Sequence, residues 1–170
     1  MNTAGLATLL FDLLTPEEEA DRSNVFDIEL LARRLLDATH WLRRQTGMID
    51  LPIGYFGAST GAAAALWAAA DPHAEVTAIV SRGGRADLAG SKLPRVRAAT
   101  LLIVGGRDDV VIELNRRAQM KLRCENQLVI VPGATHLFEE PGALERVAEL
   151  ASDWFLSHLG HDLELQRNAS

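Results

Sequence analysis

The sequence predicts an α/β fold, with an open, mostly parallel sheet of about five strands and helices on both faces. Two observations lead to this class. Short aliphatic runs bounded by turn residues recur along the chain, as expected for parallel strands that are buried on both faces. The segments between these runs have helical length and period, and alternating strands and helices favour right-handed crossovers within one sheet.

The candidate elements follow in order along the chain. Strands are predicted at residues 6–11, 53–56, 76–80, 101–104 and 128–131. Asp27 is the predicted N-cap of a helix with an apolar stripe formed by Ile28, Leu31, Leu35, Ala38 and Leu42. Pro141 is placed in the first turn of the last helix, whose stripe is formed by Leu144, Val147, Ala151, Trp154 and His158. Residues 15–24 are interpreted as a solvated loop, with a substrate-covering lid as the alternative.

Length and composition predict one cytoplasmic domain. The chain has 170 residues, 48% hydrophobic and 24% charged, which suits one globular domain over residues 1–160 and a polar tail over residues 161–170.

The net charge of −6 argues against nucleic-acid and basic membrane-surface partners. Cys124 is the single cysteine, which excludes an internal disulfide and suits a reducing compartment. No basic leader precedes an apolar stretch, and turn residues interrupt the uncharged run 51–70, which disfavours a membrane span.

The segment around Ser59 carries the most informative motif. A predicted strand leads into Gly57-Ala58-Ser59-Thr60-Gly61, and an alanine-rich helix follows. A Gly-x-Ser-x-Gly motif between a strand and a helix is the setting of a nucleophile elbow, where small neighbours let the strand and helix approach closely. At the helix N-terminus, the local positive potential and the backbone N–H groups favour a developing oxyanion.

A serine nucleophile needs a base, and the base needs a third group that orients it. Asp108 follows one predicted strand and His136 follows a later one, in the required order. Because the carboxyl ends of parallel strands meet at one edge of a sheet, Ser59, Asp108 and His136 are predicted to converge there. Asp108 is preferred to Asp109 because it lies nearer to the end of its strand.

Arg82 and Gly83 follow the strand predicted at residues 76–80, at the same edge of the sheet. Loop residues at that edge are placed to meet a ligand. Both are therefore candidate substrate contacts.

Three stretches match a known pattern in order along the chain. They are Gly54-Tyr55-Phe56-Gly57-Ala58-Ser59-Thr60-Gly61, Gly105-Gly106-Arg107-Asp108-Asp109-Val110-Val111 and Gly133-Ala134-Thr135-His136-Leu137-Phe138. Together they resemble the α/β-hydrolase family, most closely its bacterial dienelactone-hydrolase-like branch, over nearly the whole chain. The resemblance implies hydrolysis of a carboxylic ester through an acyl-enzyme, with no metal or organic cofactor. It assigns Ser59 as nucleophile, His136 as general base and Asp108 as orienting acid, and small soluble esters are the expected substrates.

The sequence departs from that family in two places. The named dienelactone hydrolases use cysteine where this chain has Ser59. Members also carry further strands and a His-Gly-type loop upstream, which supplies one of two oxyanion N–H donors, and nothing before Leu6 matches that loop. The N–H of Thr60 is the expected remaining donor, and loss of one donor predicts activity lowered roughly 100- to 1,000-fold. Uncovered apolar sheet surface predicts a homodimer, whose partner could lend the second donor.

Other hypotheses use some of the same residues. Gly54, Gly57 and Gly61 would suit a dinucleotide loop of an NADP oxidoreductase, with Arg82 and Arg85 on a 2′-phosphate, but no Tyr-x-x-x-Lys pair follows. The pair Asp108-Asp109 is weakly similar to the diphosphate-sugar loop of phosphoribosyltransferases, but apolar residues follow where small and hydroxyl residues are needed. The remaining alternative is a catalytically silent module of hydrolase-like fold that binds a partner or ligand.

Overall fold

The computed structural model of the chain describes residues 4–168, with side chains through residue 160. Its centre is a four-stranded parallel sheet in the order β1-β2-β3-β4. The strands are β1 (Ile53–Ala58), β2 (Val76–Arg82), β3 (Ala99–Gly105) and β4 (Asn126–Val131). Because neighbouring strands are parallel, each connection crosses over a face of the sheet. The predicted α/β class is confirmed.

The described residues contain six α-helices. They are α1 (Pro16–Glu19), α2 (Arg22–Val25), α3 (Ile28–Arg43), α4 (Thr60–Ala69), α5 (Asp109–Gln119) and α6 (Ala143–Asn168). Two 3-10 segments, Pro72–Ala74 and Ala86–Arg95, precede β2 and β3. Helices α3, α4 and α5 cover one face of the sheet and α6 covers the other, so the predicted helices on both faces are confirmed.

Alternate residues of β2, β3 and β4 fill the two apolar cores, whereas β1 contributes to one of them. In β2, Ile79 contributes to the core under α3, α4 and α5, whereas Val80 contributes to the core under α6. Strand β3 is buried at every position, which is why its residues 101–104 form a continuous aliphatic run. Helix α4 buries seven of its ten residues, six of them alanines. Only Ser59 separates the end of β1 from the start of α4.

Residues 15–24 form α1 and α2 where the sequence predicts a loop. Thr15 and Glu18 make a reciprocal capping box at the start of α1. Glu18 also pairs with Arg34 of α3 at 2.5 Å, and the hydrogen bonds from that guanidinium are the main cause that lowers the pKa of Glu18 to about 2. The segment is thereby attached to α3. The predicted N-cap of α3 is confirmed, since the Asp27 carboxylate accepts the N–H of Leu30 at 2.9 Å.

The strand predicted at residues 6–11 is wrong, because these residues form no strand. Leu6 packs on the α6 side of the sheet, whereas Leu13 and Leu14 pack on the opposite side. Leu10 is 96% exposed. An apolar run forms a strand only where a neighbouring strand provides hydrogen-bond partners for its backbone. In the described part of the chain, β1 pairs with β2 alone.

The last helix differs in detail from the prediction. It begins at Ala143, so Pro141 lies just before it rather than within its first turn. Its buried stripe is Val147, Ala151 and Phe155, while Leu144 is about half exposed. The helix continues to residue 168, into the segment predicted as a tail, and the division of the chain at residue 160 stays a prediction. None of the helices described is long and apolar enough to cross a bilayer.

Candidate active site

Ser59 occupies the sharp turn between β1 and α4. Its backbone has φ 49° and ψ −123°, a conformation that costs a residue with a side chain roughly 1–3 kcal/mol. The Ser59 carbonyl accepts the N–H groups of Ala62 at 3.2 Å and of Arg85 at 3.0 Å, and its own N–H donates to the carbonyl of Arg82 at 3.4 Å. The hydroxyl does not cap α4 and has no hydrogen-bond partner among the side chains and backbone described.

The first glycine of the motif is required by packing. A Cβ on Gly57 would lie 2.5 Å from the carbonyl oxygen of Gly61 and 2.7 Å from the Cα of Ala62, both of them backbone atoms. A Cβ on Gly61 would meet nothing within 4 Å. The strand and helix can therefore approach around Ser59 only because residue 57 has no side chain.

Asp108 and His136 form a hydrogen-bonded pair at the carboxyl edge of the sheet. The distance between His136 Nδ1 and Asp108 Oδ2 is 2.7 Å. The other carboxylate oxygen, Oδ1, accepts the N–H of Val111 at 3.3 Å and caps α5. Asp108 is 15% exposed and His136 41% exposed. A carboxylate accepts hydrogen bonds and donates none, so the proton of the neutral imidazole lies on Nδ1. Nε2 is then left as the basic nitrogen.

The loop after β2 brings the serine and the histidine to one place. The carbonyl of Arg82 accepts the Ser59 N–H, and a Cβ on Gly83 would lie only 3.1 Å from the carbonyl oxygen and 3.6 Å from Cε1 of His136. The Gly83 N–H donates to the carbonyl of Ile103 at 2.8 Å, so this donor is already used. The loop after β2 thus contacts both Ser59 and His136 at this end of the sheet, but no hydrogen bond joins the Ser59 hydroxyl to His136 in the described residues. The convergence of all three side chains stays a prediction.

The loop that carries His136 is held by contacts that the sequence did not indicate. The Glu140 carboxylate accepts the N–H of Thr135 at 3.0 and 3.1 Å, and this backbone donor is the main cause that lowers the pKa of Glu140. Phe138 is fully buried with a φ of 59°, a rare conformation for an aromatic residue. Gly105 leaves no space for a Cβ against the carbonyls of this loop.

Arg82 lies at the end of β2 with its guanidinium 5.7 Å from the centre of the Phe138 ring. No carboxylate pairs with it in the described residues. It borders a small apolar cavity of about 280 Å³ between the end of β1 and the start of α6, lined also by Phe56, Ala58, Leu144, Val147 and Ala148. This cavity adjoins the elbow, because Ala58 directly precedes Ser59.

Two other features lie apart from this site. A larger cavity of about 460 Å³ opens at the opposite edge of the sheet and is lined by Arg95, Arg97, Arg123 and Cys124 among others. Burial raises the pKa of the Cys124 thiol, which makes it a poor nucleophile at neutral pH. Within the described residues, no group of three or more His, Cys, Asp or Glu side chains could hold a metal ion.

The parallel sheet, the serine elbow and the ordered acid and histidine define an α/β-hydrolase. Dienelactone hydrolase from Anabaena variabilis ATCC 29413 has 57% sequence identity to this chain and a TM-score of 0.87, over 93% of this chain and 75% of that one. This chain belongs to the dienelactone-hydrolase-like branch of that family. A dienelactone-hydrolase-like promiscuous phosphotriesterase from metagenomic libraries shares the fold, with 21% identity and a TM-score of 0.60 over 84% of this chain and 64% of that one. No family model matches the chain.

Two curated relatives come from Mycobacterium tuberculosis, strains CDC 1551 and H37Rv. Each is 69% identical over 156 residues, which is 92% of this chain, and each carries the name phosphoribosyl transferase. The chain spans only 35% of their length. The pair Asp108-Asp109 is the one that is weakly similar to a diphosphate-sugar loop. In this chain the carboxylate of Asp108 is already engaged, because it caps α5 and bonds to His136.

Proposed function

We propose that this chain is a serine hydrolase acting on small carboxylic esters. The observation that carries the proposal is the 2.7 Å contact of His136 Nδ1 with Asp108 Oδ2, at the edge of the sheet where Ser59 stands on a strained elbow. Ser59 is the nucleophile, His136 the general base and Asp108 the acid that orients it. This arrangement corresponds to a catalytic triad, in which a third group fixes the tautomer of the base.

The reaction proceeds by acyl transfer to the enzyme and then to water. Nε2 of His136 takes the proton of the Ser59 hydroxyl as Oγ attacks the ester carbonyl, and Asp108 stabilises the imidazolium that forms. The N–H of Thr60 receives the oxyanion, because it opens α4 and has no intrahelical acceptor. His136 then returns the proton to the leaving alcohol. Water, activated by the same histidine, hydrolyses the acyl-enzyme and releases the acid.

The surroundings of the elbow favour a short substrate. The cavity beside Ala58 has about 280 Å³, near the lower end of the range for small-molecule sites. Arg82 borders it without a carboxylate partner among the described residues, so an ester that carries negative charge would gain an ion pair there. Gly83 is proposed as a contact through its carbonyl or Cα only, since its N–H is used by Ile103.

Hydrolysis of p-nitrophenyl acetate and butyrate tests the proposal directly. The purified chain is compared with Ser59→Ala and with Ser91→Ala, an exposed serine of the Ala86–Arg95 segment, at matched concentration and pH. Turnover that is lost in Ser59→Ala and kept in Ser91→Ala supports the triad. Equal background rates in all three would favour a catalytically silent binding module, in which a fluorophosphonate probe should also leave Ser59 unmodified.

We also propose that the chain forms a homodimer. Several large apolar side chains at or near the open edge of β1 and on α6 are exposed, namely Ile49, Leu51, Phe56, Leu144 and Leu156. Apolar surface and an unpaired strand edge of this kind favour association. Sedimentation velocity at micromolar concentration should give the mass of two chains, and a monodisperse monomer would contradict the proposal.

A further inference from the structure

The side chain of Asn115 joins the two halves of the candidate site. Asn115 lies two turns along α5 from Asp108 and is completely buried. Its Nδ2 donates to the carbonyl of Val111 in its own helix at 2.9 Å and to the carbonyl of Gly84, in the loop after β2, at 2.8 Å. The helix whose N-cap is Asp108 is thereby tied to the loop that lies beside the serine.

The loop passes this restraint on to Ser59. Gly84 precedes Arg85, whose N–H donates to the Ser59 carbonyl at 3.0 Å. A Cβ on Gly84 would lie 2.5 Å from the Cβ of Ala62 in α4 and would collide with Ser81 Oγ, so the peptide has little room to move. The Asn115 side chain, the Gly84 carbonyl and the Arg85 N–H therefore connect α5 to the nucleophile elbow.

Stability alone does not explain an asparagine at this position. Its Oδ1 is buried and has no hydrogen-bond partner in the described residues, and unpaired buried acceptors are destabilising. An apolar residue of similar shape avoids that penalty, although it leaves the carbonyl of Gly84 without its donor. The asparagine contributes a donor aimed at a loop whose other hydrogen bonds reach Ser59.

We propose that Asn115 is a positioning residue for the hydrolytic reaction, an inference that rests on the function proposed above. It touches no substrate. Its hydrogen bond to Gly84 holds the 83–85 loop, and with it Ser59, at a set distance from Asp108 and His136. A misplacement of about 1 Å costs roughly 100-fold in rate, so loss of the bond should act on kcat. Arg82 is held separately by strand pairing with Ala58 and Ile103, so KM should change little.

The kinetic test compares Asn115→Leu with Thr100→Val, a buried polar-to-apolar change near the amino end of β3, at the opposite edge of the sheet. Asn115→Leu should lower kcat for p-nitrophenyl acetate by about 10- to 100-fold, with KM within about threefold of wild type. Thr100→Val should leave kcat unchanged. A kcat within twofold of wild type in folded Asn115→Leu, or an equal loss in both variants, would overturn the inference. If Asn115→Leu does not fold, Asn115→Ala takes its place with the same expectations.

Amide hydrogen exchange gives a readout that needs no turnover. The Arg85 N–H, which donates to Ser59, should exchange at least about tenfold faster in Asn115→Leu than in wild type, while Thr100→Val leaves it unchanged. If wild type shows no Ser59-dependent hydrolysis, the proposed function fails, and faster exchange at Arg85 still supports the role of Asn115 in holding the loop. Unchanged exchange at Arg85 would overturn that role whatever the activity.

Discussion

Replacing Asp108 by asparagine separates the two hydrogen bonds that this side chain accepts. Oδ1 caps α5 through the N–H of Val111, and Oδ2 accepts the proton of His136 Nδ1 at 2.7 Å. Asparagine retains one carbonyl oxygen and is as good an N-cap as aspartate. It cannot serve both bonds at once, and it carries no negative charge to stabilise the imidazolium. Asp108→Asn should therefore remove the catalytic role of the side chain and keep most of its structural role.

The two effects differ enough in size to be told apart. Loss of the orienting carboxylate in a Ser-His-Asp triad lowers kcat by roughly 10⁴-fold, which corresponds to about 5 kcal/mol of transition-state stabilisation. The cap remains, and the lost charge at the N-terminus of α5 is worth about 0.3–1 kcal/mol in the free energy of unfolding. Asp108→Asn should thus be a folded protein with almost no activity.

The assay combines steady-state hydrolysis of p-nitrophenyl acetate with urea unfolding of the same preparations. Asp109→Asn is the matched control, because Asp109 is the next residue, is exposed and begins α5. We expect its kcat to stay within about twofold of wild type, since surface substitutions away from a site have small effects. The assignment of Asp108 is refuted if Asp108→Asn keeps more than a tenth of the wild-type kcat, or if Asp109→Asn is the more damaging change.

Gly57→Ala should lower the free energy of unfolding by about 1–3 kcal/mol, because its Cβ would meet backbone atoms of α4. Gly61→Ala should be close to neutral, and the urea midpoints of the two variants test the difference. Glu140 should contribute stability above its ordinary pKa of 4.5 and lose it as the pH falls through its lowered folded pKa, because the N–H of Thr135 bonds more strongly to the carboxylate than to the neutral acid. Urea midpoints between pH 7 and 3 should therefore fall more steeply for wild type than for Glu140→Gln, and parallel curves would contradict this. Arg82→Gln should raise KM for an ester that carries a carboxylate and leave KM for p-nitrophenyl acetate nearly unchanged; an equal effect on both esters would exclude the ion pair.

The sequence by itself determined the strands of the sheet and the order of the candidate site residues along it. Each predicted run from residue 53 onward lies within an observed strand. The reason is clearest in β3, where burial on both faces favours aliphatic residues along the strand. The helix starting at Ile28 was predicted from its period and from Asp27. The Gly-x-Ser-x-Gly motif placed Ser59 correctly between a strand and a helix, since this turn depends on residues that adjoin it in the chain.

Only the tertiary structure decided which side chains meet. Residues 6–11 have the composition of a strand, yet no neighbouring strand in the described residues pairs with them. Of two adjacent aspartates, Asp108 is the N-cap of α5 and Asp109 its first residue, and only Asp108 bonds to His136, which lies 28 residues away in sequence. Asn115 and Glu140 carry no motif at all. The side chain of Asn115 bonds to the carbonyl of Gly84, 31 residues away in sequence, and that of Glu140 accepts the N–H of Thr135, five residues away. Both contacts depend on where folding places the backbone, which the local pattern does not record.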